Sequence, residues 1–204
     1  CNLGFRPIDI HLEALEKMGV QYKVVDGYIN AKAKNGLIGA KIKFPKISVG
    51  ATENLMIAAC LAKGQTVLSN CAIEPEIKDL SNFLCSIGAK IVWTGRRQVK
   101  IVGVKTFKQS NYKIMFDRIE AGTMLIAGAI NQGNLKITGI ESSILKTEID
   151  LLKKIGAKIY KKKNEITIKG NKKIKNINIK TSPFPGVATD IQAQLMVLMC
   201  KANK

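Results

Sequence analysis

Three stretches of the chain repeat one pattern, and that repetition constrains the fold more than any other feature. They are LEALEKMGVQYKV at 12–24, LSNFLCSIGAKIVW at 80–93 and IDLLKKIGAKIYKK at 149–162. Each has apolar residues at helical spacing, then a glycine, then an alternating apolar run that reads as a strand. The glycines, Gly19, Gly88 and Gly156, lie 69 and 68 residues apart. Glycine just past the last helical turn accepts the left-handed conformation that ends a helix. Each stretch therefore predicts helix, stop and strand.

A second helix recurs alongside the first. ATENLMIAACLAKGQTVLSN at 51–70 parallels AGTMLIAGAINQGNLKITG at 121–139. Both read as a small-residue helix, a stop at Gly64 or Gly133, and a short strand. A third copy of this helix starts in ATDIQAQLMVLMCKANK at 188–204, and its Met and Leu stripe reads as packing. Hairpin-like segments follow two of the units, RRQVKIVGV at 96–104 and KNEITIKGNKKIKNINIK at 163–180. The repeating unit is thus β-α-β-α-β-β, roughly 68 residues long and too long for a solenoid repeat. The expected class is α/β, with small modules packed around a shared core of helices. The chain would hold the tail of one unit (to about residue 45), two nearly whole units and the start of another.

Composition narrows the functions open to such a chain. At 204 residues and 46% hydrophobic it has ample core, and no apolar run approaches the roughly 18–20 residues of a membrane span. No charged-then-apolar export signal is present, although residue 1 is not Met and the natural start is expected upstream. Five cysteines without CxxC spacing fit a reducing cytosol better than a disulfide framework or a zinc site. A single histidine, His11, anchors neither a metal cluster nor a serine triad. The net charge of +18 admits a nucleic-acid partner. Yet nearly all cations are lysines, arginine stands only at Arg6, Arg96, Arg97 and Arg118, and aromatics make up 5%. A small anionic ligand is the better expectation.

Four stretches are not explained by packing alone. In CNLGFRPIDIH, Gly4 and Pro7 mark a loop, and Arg6 supplies a donor fork suited to phosphate or carboxylate. A cation near Cys1 would favour its thiolate, so Cys1 reads either as a structural residue or as a reactive thiol. In FPKISVGATEN, Lys46 and Ser48 lead into a helix near Thr52, which is either an anion cradle or an ordinary N-cap. In IEPEI, Glu74 and Glu76 sit before a helix, where carboxylates are favoured anyway. In FDRIEAGT and FPGVATDIQAQ, Asp117-Arg118 and Asp190 lie just ahead of repeat helices. Asp190 reads as a first-turn charge or as a general base toward a hydroxyl.

Taken in order, C-x-x-G-x-R-P-x-D-x-H, K-x-S-V-G-A-T, E-P-E-I-x-D, D-R-I-E-x-G-T and T-D-x-Q-A-Q resemble the UDP-N-acetylglucosamine 1-carboxyvinyltransferase family of enolpyruvyl transferases. The resemblance runs from Cys1 to Lys204, as an internal fragment of a longer enzyme. It implies two similar domains, each of three β-α-β-α-β-β units arranged as an inside-out α/β barrel. Residues 1–115 would belong to the first domain and 116–204 to the second, both incomplete.

The implied reaction moves the enolpyruvyl group of phosphoenolpyruvate to the 3-hydroxyl of UDP-N-acetylglucosamine, releases phosphate, and opens peptidoglycan precursor synthesis in the cytoplasm. It implies small-molecule substrates, no cofactor, no metal, and neither nucleic-acid nor membrane partners. Cys1 matches the family's proton-donating cysteine, the thiol that fosfomycin alkylates. Arg6, Pro7, Ile8, Asp9 and Ile10, with Lys46, Ile47, Ser48 and Val49, match the stretches lining the uridine-nucleotide site. Asp190 matches the aspartate at the sugar hydroxyl. Glu74, Glu76, Asp117 and Arg118 match motifs near the cleft without a sharper role. Ile73 departs from the arginine common at its position, and the family's N-terminal Lys-Asn pair falls outside this chain, so the fragment alone is expected to be inactive. The rivals are an enolpyruvylshikimate-phosphate synthase-like transferase, which needs no such cysteine, a basic nucleic-acid-binding module, and a non-catalytic remnant.

Overall fold

The repeat of helix, glycine and hairpin appears three times in the computed structural model, which describes residues 8–202. Helix α1 (Asp9–Lys17) precedes strands β1 (Gln21–Val25) and β2 (Tyr28–Lys32). Strand β3 (Lys41–Lys43), helix α2 (Val49–Cys60) and strand β4 (Gln65–Ser69) come next. Helix α3 (Pro75–Ser86) then leads into β5 (Lys90–Gly95) and β6 (Gln98–Val102). The third copy is α4 (Arg118–Ile130), β7 (Asn134–Thr138), α5 (Lys146–Lys154), β8 (Lys158–Lys162) and β9 (Glu165–Lys169). A 3-10 turn at Thr189–Ile191 opens α6 (Gln192–Met199).

The ends of α1, α3 and α5 explain why the glycine spacing was informative. Gly19, Gly88 and Gly156 all have positive φ, at 91°, 104° and 108°. At each, the glycine N–H and the next N–H turn back onto the last helical carbonyls. Examples are Gly19 N to Glu16 O at 2.9 Å and Val20 N to Leu15 O at 3.1 Å, and the same pair recurs at Gly88–Ala89 and Gly156–Ala157. This Schellman closure satisfies otherwise orphaned carbonyls and aims the chain into the following strand.

The chain divides into two compact units between Ile114 and Met115. In the first, β1 and β2 form an antiparallel hairpin whose turn residues Asp26 and Gly27 both have positive φ. A four-stranded sheet has the order β3-β4-β6-β5, with β3 parallel to β4 and the other pairs antiparallel. In the second unit the sheet order is β7-β9-β8, antiparallel throughout. No closed barrel forms among the described residues.

Residues 41–102 follow the β-α-β-α-β-β pattern in full. The copy after them lacks its leading strand, because residues 105–112 follow α3 instead. Lys108 N–H donates to Ile87 O (2.9 Å), Tyr112 Oη donates to Asp79 Oδ1 (2.8 Å), and the Tyr112 and Phe83 rings meet edge to face. The hairpin expected over 163–180 is confined to β8 and β9, with its turn at Lys163 and Asn164. Residues 176–180 form no strand.

Each unit has its own core, and repeat positions match inside them. Leu55 and Leu125, on α2 and α4, are both fully buried. So are Val99 and Ile101 on β6 and Ile166 and Ile168 on β9. The thiols of Cys60 and Cys71 sit in the first core, where burial pushes them up to about 11 and about 12. They pack as small hydrophobes and are not nucleophiles near neutral pH. No helix among the described residues is long and apolar enough to cross a membrane.

Candidate active site

In the first unit the helix starts collect the residues that sequence reasoning singled out. Ile8 is the residue before α1, and Asp9 opens the helix with its carboxylate exposed at the positive end of the helix dipole. Ile10, one position on, turns into the core and is only 6% exposed. Cys1, Arg6 and Pro7 lie outside the described residues.

The stretch Lys46–Val49 carries the chain from β3 into α2, which starts at Val49, three residues before the expected point. Lys46 is exposed, while Ile47 and Val49 pack on the core. Ser48 is the N-cap, and its Oγ accepts from Ala51 N–H at 3.2 Å. The serine oxygen is thereby committed to the helix, and the first-turn N–H groups at Val49 and Gly50 precede any helical acceptor. Such groups are anion-seeking.

His11 connects the two stretches. Its Nε2 lies 3.4 Å from where a Cβ on Gly50 would stand, so the first turn of α1 packs directly on the first turn of α2. Its Nδ1 is buried without a hydrogen-bond partner. The structure therefore brings Ile8–Ile10 and Lys46–Val49 together, and glycine at position 50 leaves room for the imidazole. Sequence reasoning set His11 aside because a single histidine forms no metal cluster. Its place two residues after Asp9, at the start of the same helix, was the signal available.

A third strand of the site is tied to the same helix. The Thr52 hydroxyl donates to Ser48 O (2.7 Å) and accepts from Ala72 N–H (3.0 Å), fixing the segment that leads to Glu74. Glu74 precedes α3, is 5% exposed, and accepts from Ile73 N–H through Oε2 at 2.9 Å. Glu76 falls inside the first turn of α3, not before it. Glu53, on α2, faces both carboxylates. Its own burial, followed by repulsion from Glu76 and Glu74, raises its pKa above the ordinary glutamate value. Neither motif pointed to Glu53, whose spacing shows nothing until α2 and α3 pack.

The second unit holds the remaining candidates. Asp117 is the N-cap of α4 and accepts from Ile119 N–H (2.7 Å) and Glu120 N–H (3.1 Å). Arg118, the first helical residue, is 7% exposed and lies over the Phe184 ring at 5.8 Å. It also faces Glu148, which is 6% exposed. Burial raises the Glu148 pKa, outweighing the lowering by a backbone hydrogen bond and by Arg118. Asp190 lies in the 3-10 turn before α6 with its side chain exposed. Gln194 Nε2 donates to Thr123 Oγ1 at 2.9 Å, which ties T-D-x-Q-A-Q to D-R-I-E-x-G-T. Asp117, Arg118 and Asp190 thus belong to one packed group of helix starts.

Comparisons with known proteins bear on the family and the fold. The family model for EPSP synthase (3-phosphoshikimate 1-carboxyvinyltransferase) matches residues 1–203. A UDP-N-acetylglucosamine 1-carboxyvinyltransferase from Pelagibacter ubique is 67% identical over 204 residues, covering all of this chain and 49% of its own length. One from Geotalea uraniireducens is 46% identical over 203 residues, covering 100% of this chain and 48% of its own. The chain spans about half the length of the curated relatives it matches. Among solved structures, the enolpyruvyl transferase NikO from Streptomyces tendae aligns with a TM-score of 0.86 at 23% identity, over 97% of this chain and 50% of that one. An EPSP synthase from Acinetobacter baumannii aligns at 0.64 and 19% identity, over 86% of this chain and 42% of that one. Both likenesses concern the fold, which is that of the enolpyruvyl transferases. With the family model matching nearly the whole chain and the repeat realised in three dimensions, the chain belongs to the EPSP synthase (3-phosphoshikimate 1-carboxyvinyltransferase) family.

Proposed function

We propose that this chain is the middle portion of an enzyme that transfers the enolpyruvyl group of phosphoenolpyruvate to the 3-hydroxyl of UDP-N-acetylglucosamine. The observation that carries the reading is 67% identity, over the whole chain, to a relative named for that activity. Residues 1–115 contribute to the first domain and 116–204 to the second. The reaction is the committed step toward peptidoglycan, hence toward cell-wall growth and division, and takes place in the cytoplasm.

The chemistry needs a proton delivered to the methylene carbon and another removed from the attacking hydroxyl. Cys1 gives its proton to the methylene carbon of phosphoenolpyruvate. Asp190 takes the hydroxyl proton as the sugar oxygen bonds to the adjacent carbon. The carbon–oxygen bond to phosphate then breaks, a proton leaves the new methyl group, and the enol ether is restored. Arg6 and Lys46 hold anionic groups of the substrates, and the first-turn N–H groups of α2 add donors beside Lys46. Pro7, Ile8 and Asp9 line the uridine-nucleotide site from one side, with Ile10 anchoring that stretch in the core, and Ile47, Ser48 and Val49 line it from the other. The packing of α1 on α2 through His11 supports that pairing. Cys1 is also the thiol that fosfomycin would alkylate.

The test is phosphate release by the complete gene product from phosphoenolpyruvate, with UDP-N-acetylglucosamine or shikimate 3-phosphate as acceptor. Turnover is expected with the nucleotide sugar alone. Cys1→Ala and Asp190→Ala should each lower kcat by about 100- to 10,000-fold, the range of a lost general acid or base. Full activity in either variant removes that residue's role, and turnover with shikimate 3-phosphate overturns the substrate assignment.

A further inference from the structure

A small cavity in the first unit is lined by residues to which the proposed transfer gives no role. It opens between the start of α3 and the β5–β6 turn, has a volume of about 260 Å³, and is lined by Ile73, Ile77, Lys78, Trp93, Gly95 and Arg96. Its walls have three distinct chemistries. Ile77 is fully buried and forms an apolar floor, with half-buried Ile73 beside it. The indole of Trp93 is held in one orientation by its Nε1–H, which donates to Ser81 Oγ at 3.3 Å. Two cations close the rim. Lys78 Nζ stands 5.9 Å from the centre of the Trp93 ring, and Arg96 is exposed at the hairpin turn. No aspartate or glutamate lines the cavity among the described residues.

We infer that this pocket binds a small aromatic carboxylate. Two cations with no carboxylate between them select an anion, and Arg96 offers the fork that pairs a carboxylate bidentately. The isoleucines and the indole offer a dry surface to a flat ring, which gains area by stacking or edge contact. The volume sits below the usual range for drug-sized ligands, so it fits one ring rather than a nucleotide. Glycine at position 95 leaves the mouth open beside Arg96. The proposed transfer gives no role to any residue lining the pocket, so benzoate binding and turnover with the nucleotide sugar can fail independently.

Trp93 is the only tryptophan in the 204 residues, so its fluorescence reports on this cavity alone. Benzoate is the probe, titrated into the full chain at constant ionic strength, with acetate and benzylamine as controls. Benzoate should produce a saturable change in emission, and the controls should produce none over the same range. Arg96→Gln and Lys78→Gln alter exposed side chains and should each weaken benzoate binding about tenfold, the loss of one charge-assisted contact. The inference fails if benzoate causes only unsaturable quenching, if benzylamine acts equally, or if Arg96→Gln binds benzoate as the parent chain does.

Discussion

Helices α2 and α4 occupy the same place in successive repeats, and they differ at their first turn. Inward, the two are copies: Ala51 and Ala121, Leu55 and Leu125, Ala59 and Ala129 are buried at matching positions. At the start of α2 the polar work is neutral, with one Ser48 cap bond and the wholly buried Thr52 hydroxyl bridging to Ala72. At the start of α4 it is ionic, with a carboxylate cap, a buried guanidinium and a buried glutamate within its field. A repeated core therefore does not dictate repeated chemistry. The apolar stripe is held by packing, and the helix start is where one copy can diverge from another without disturbing it.

The sharpest way to break the comparison is to remove the central polar group from each helix. Arg118→Ala should destabilise the second unit by about 3 kcal/mol, since it removes a buried guanidinium packed over Phe184 and the positive charge near buried Glu148. Thr52→Val in the first unit should cost about 1–3 kcal/mol, since it leaves the Ala72 N–H unpaired at nearly constant volume. Hydrogen exchange in α4 and in α2 reads the two losses separately. Equal losses would mean that the ionic helix start is no more demanding than the neutral one.

Part of this was legible from residues alone, for reasons the two helices make plain. The glycine spacing was readable because Gly19, Gly88 and Gly156 must adopt positive φ, a local demand that leaves a local mark. The apolar spacing of α2 and α4 was readable because each buries its stripe against its own unit. Ser48 as a cap was one of two readings, and its bond to Ala51 shows that the hydroxyl serves the helix. The influence of Arg118 on Glu148 was not readable, because 30 residues separate them and only packing brings the charge near the acid. The same holds for Glu53 beside Glu74 and Glu76, and for His11 against Gly50. The missing strand before α4 was hidden too. Tyr112 finds Asp79, and that contact draws the segment along α3 instead of into a sheet.

A milder contrast concerns the caps. Ser48→Ala removes one bond and should cost about 1 kcal/mol. Asp117→Ala removes two bonds and a charge that complements the helix dipole, so about 2 kcal/mol is expected. Asp117→Asn should recover most of that loss by keeping the hydrogen bonds. Urea unfolding followed by hydrogen exchange in each helix measures all three. A larger loss at Ser48 than at Asp117 would place the stronger cap in the wrong unit.

The smallest expected effect is a slope with pH, and it isolates Glu148. Burial raises its folded-state pKa above the ordinary 4.5, against partial lowering by a backbone hydrogen bond and then by Arg118. A raised acid binds its proton more tightly when folded. Its stabilising contribution is therefore complete below about 4.5 and is lost as pH rises through the elevated folded value. The slope cannot exceed about 1.4 kcal/mol per pH unit, the worth of one proton. Glu148→Gln cannot ionise, so the second unit of that variant should gain on the parent as pH increases from about 4 to about 7. Amide protection in α5, measured for both proteins across that range, gives the difference directly. A gap that stays constant with pH would show that Glu148 is as ionised in the folded unit as in the unfolded chain. Glu148 would then carry its charge near neutral pH, and the start of α4 would hold two buried charges of opposite sign where that of α2 holds neutral groups.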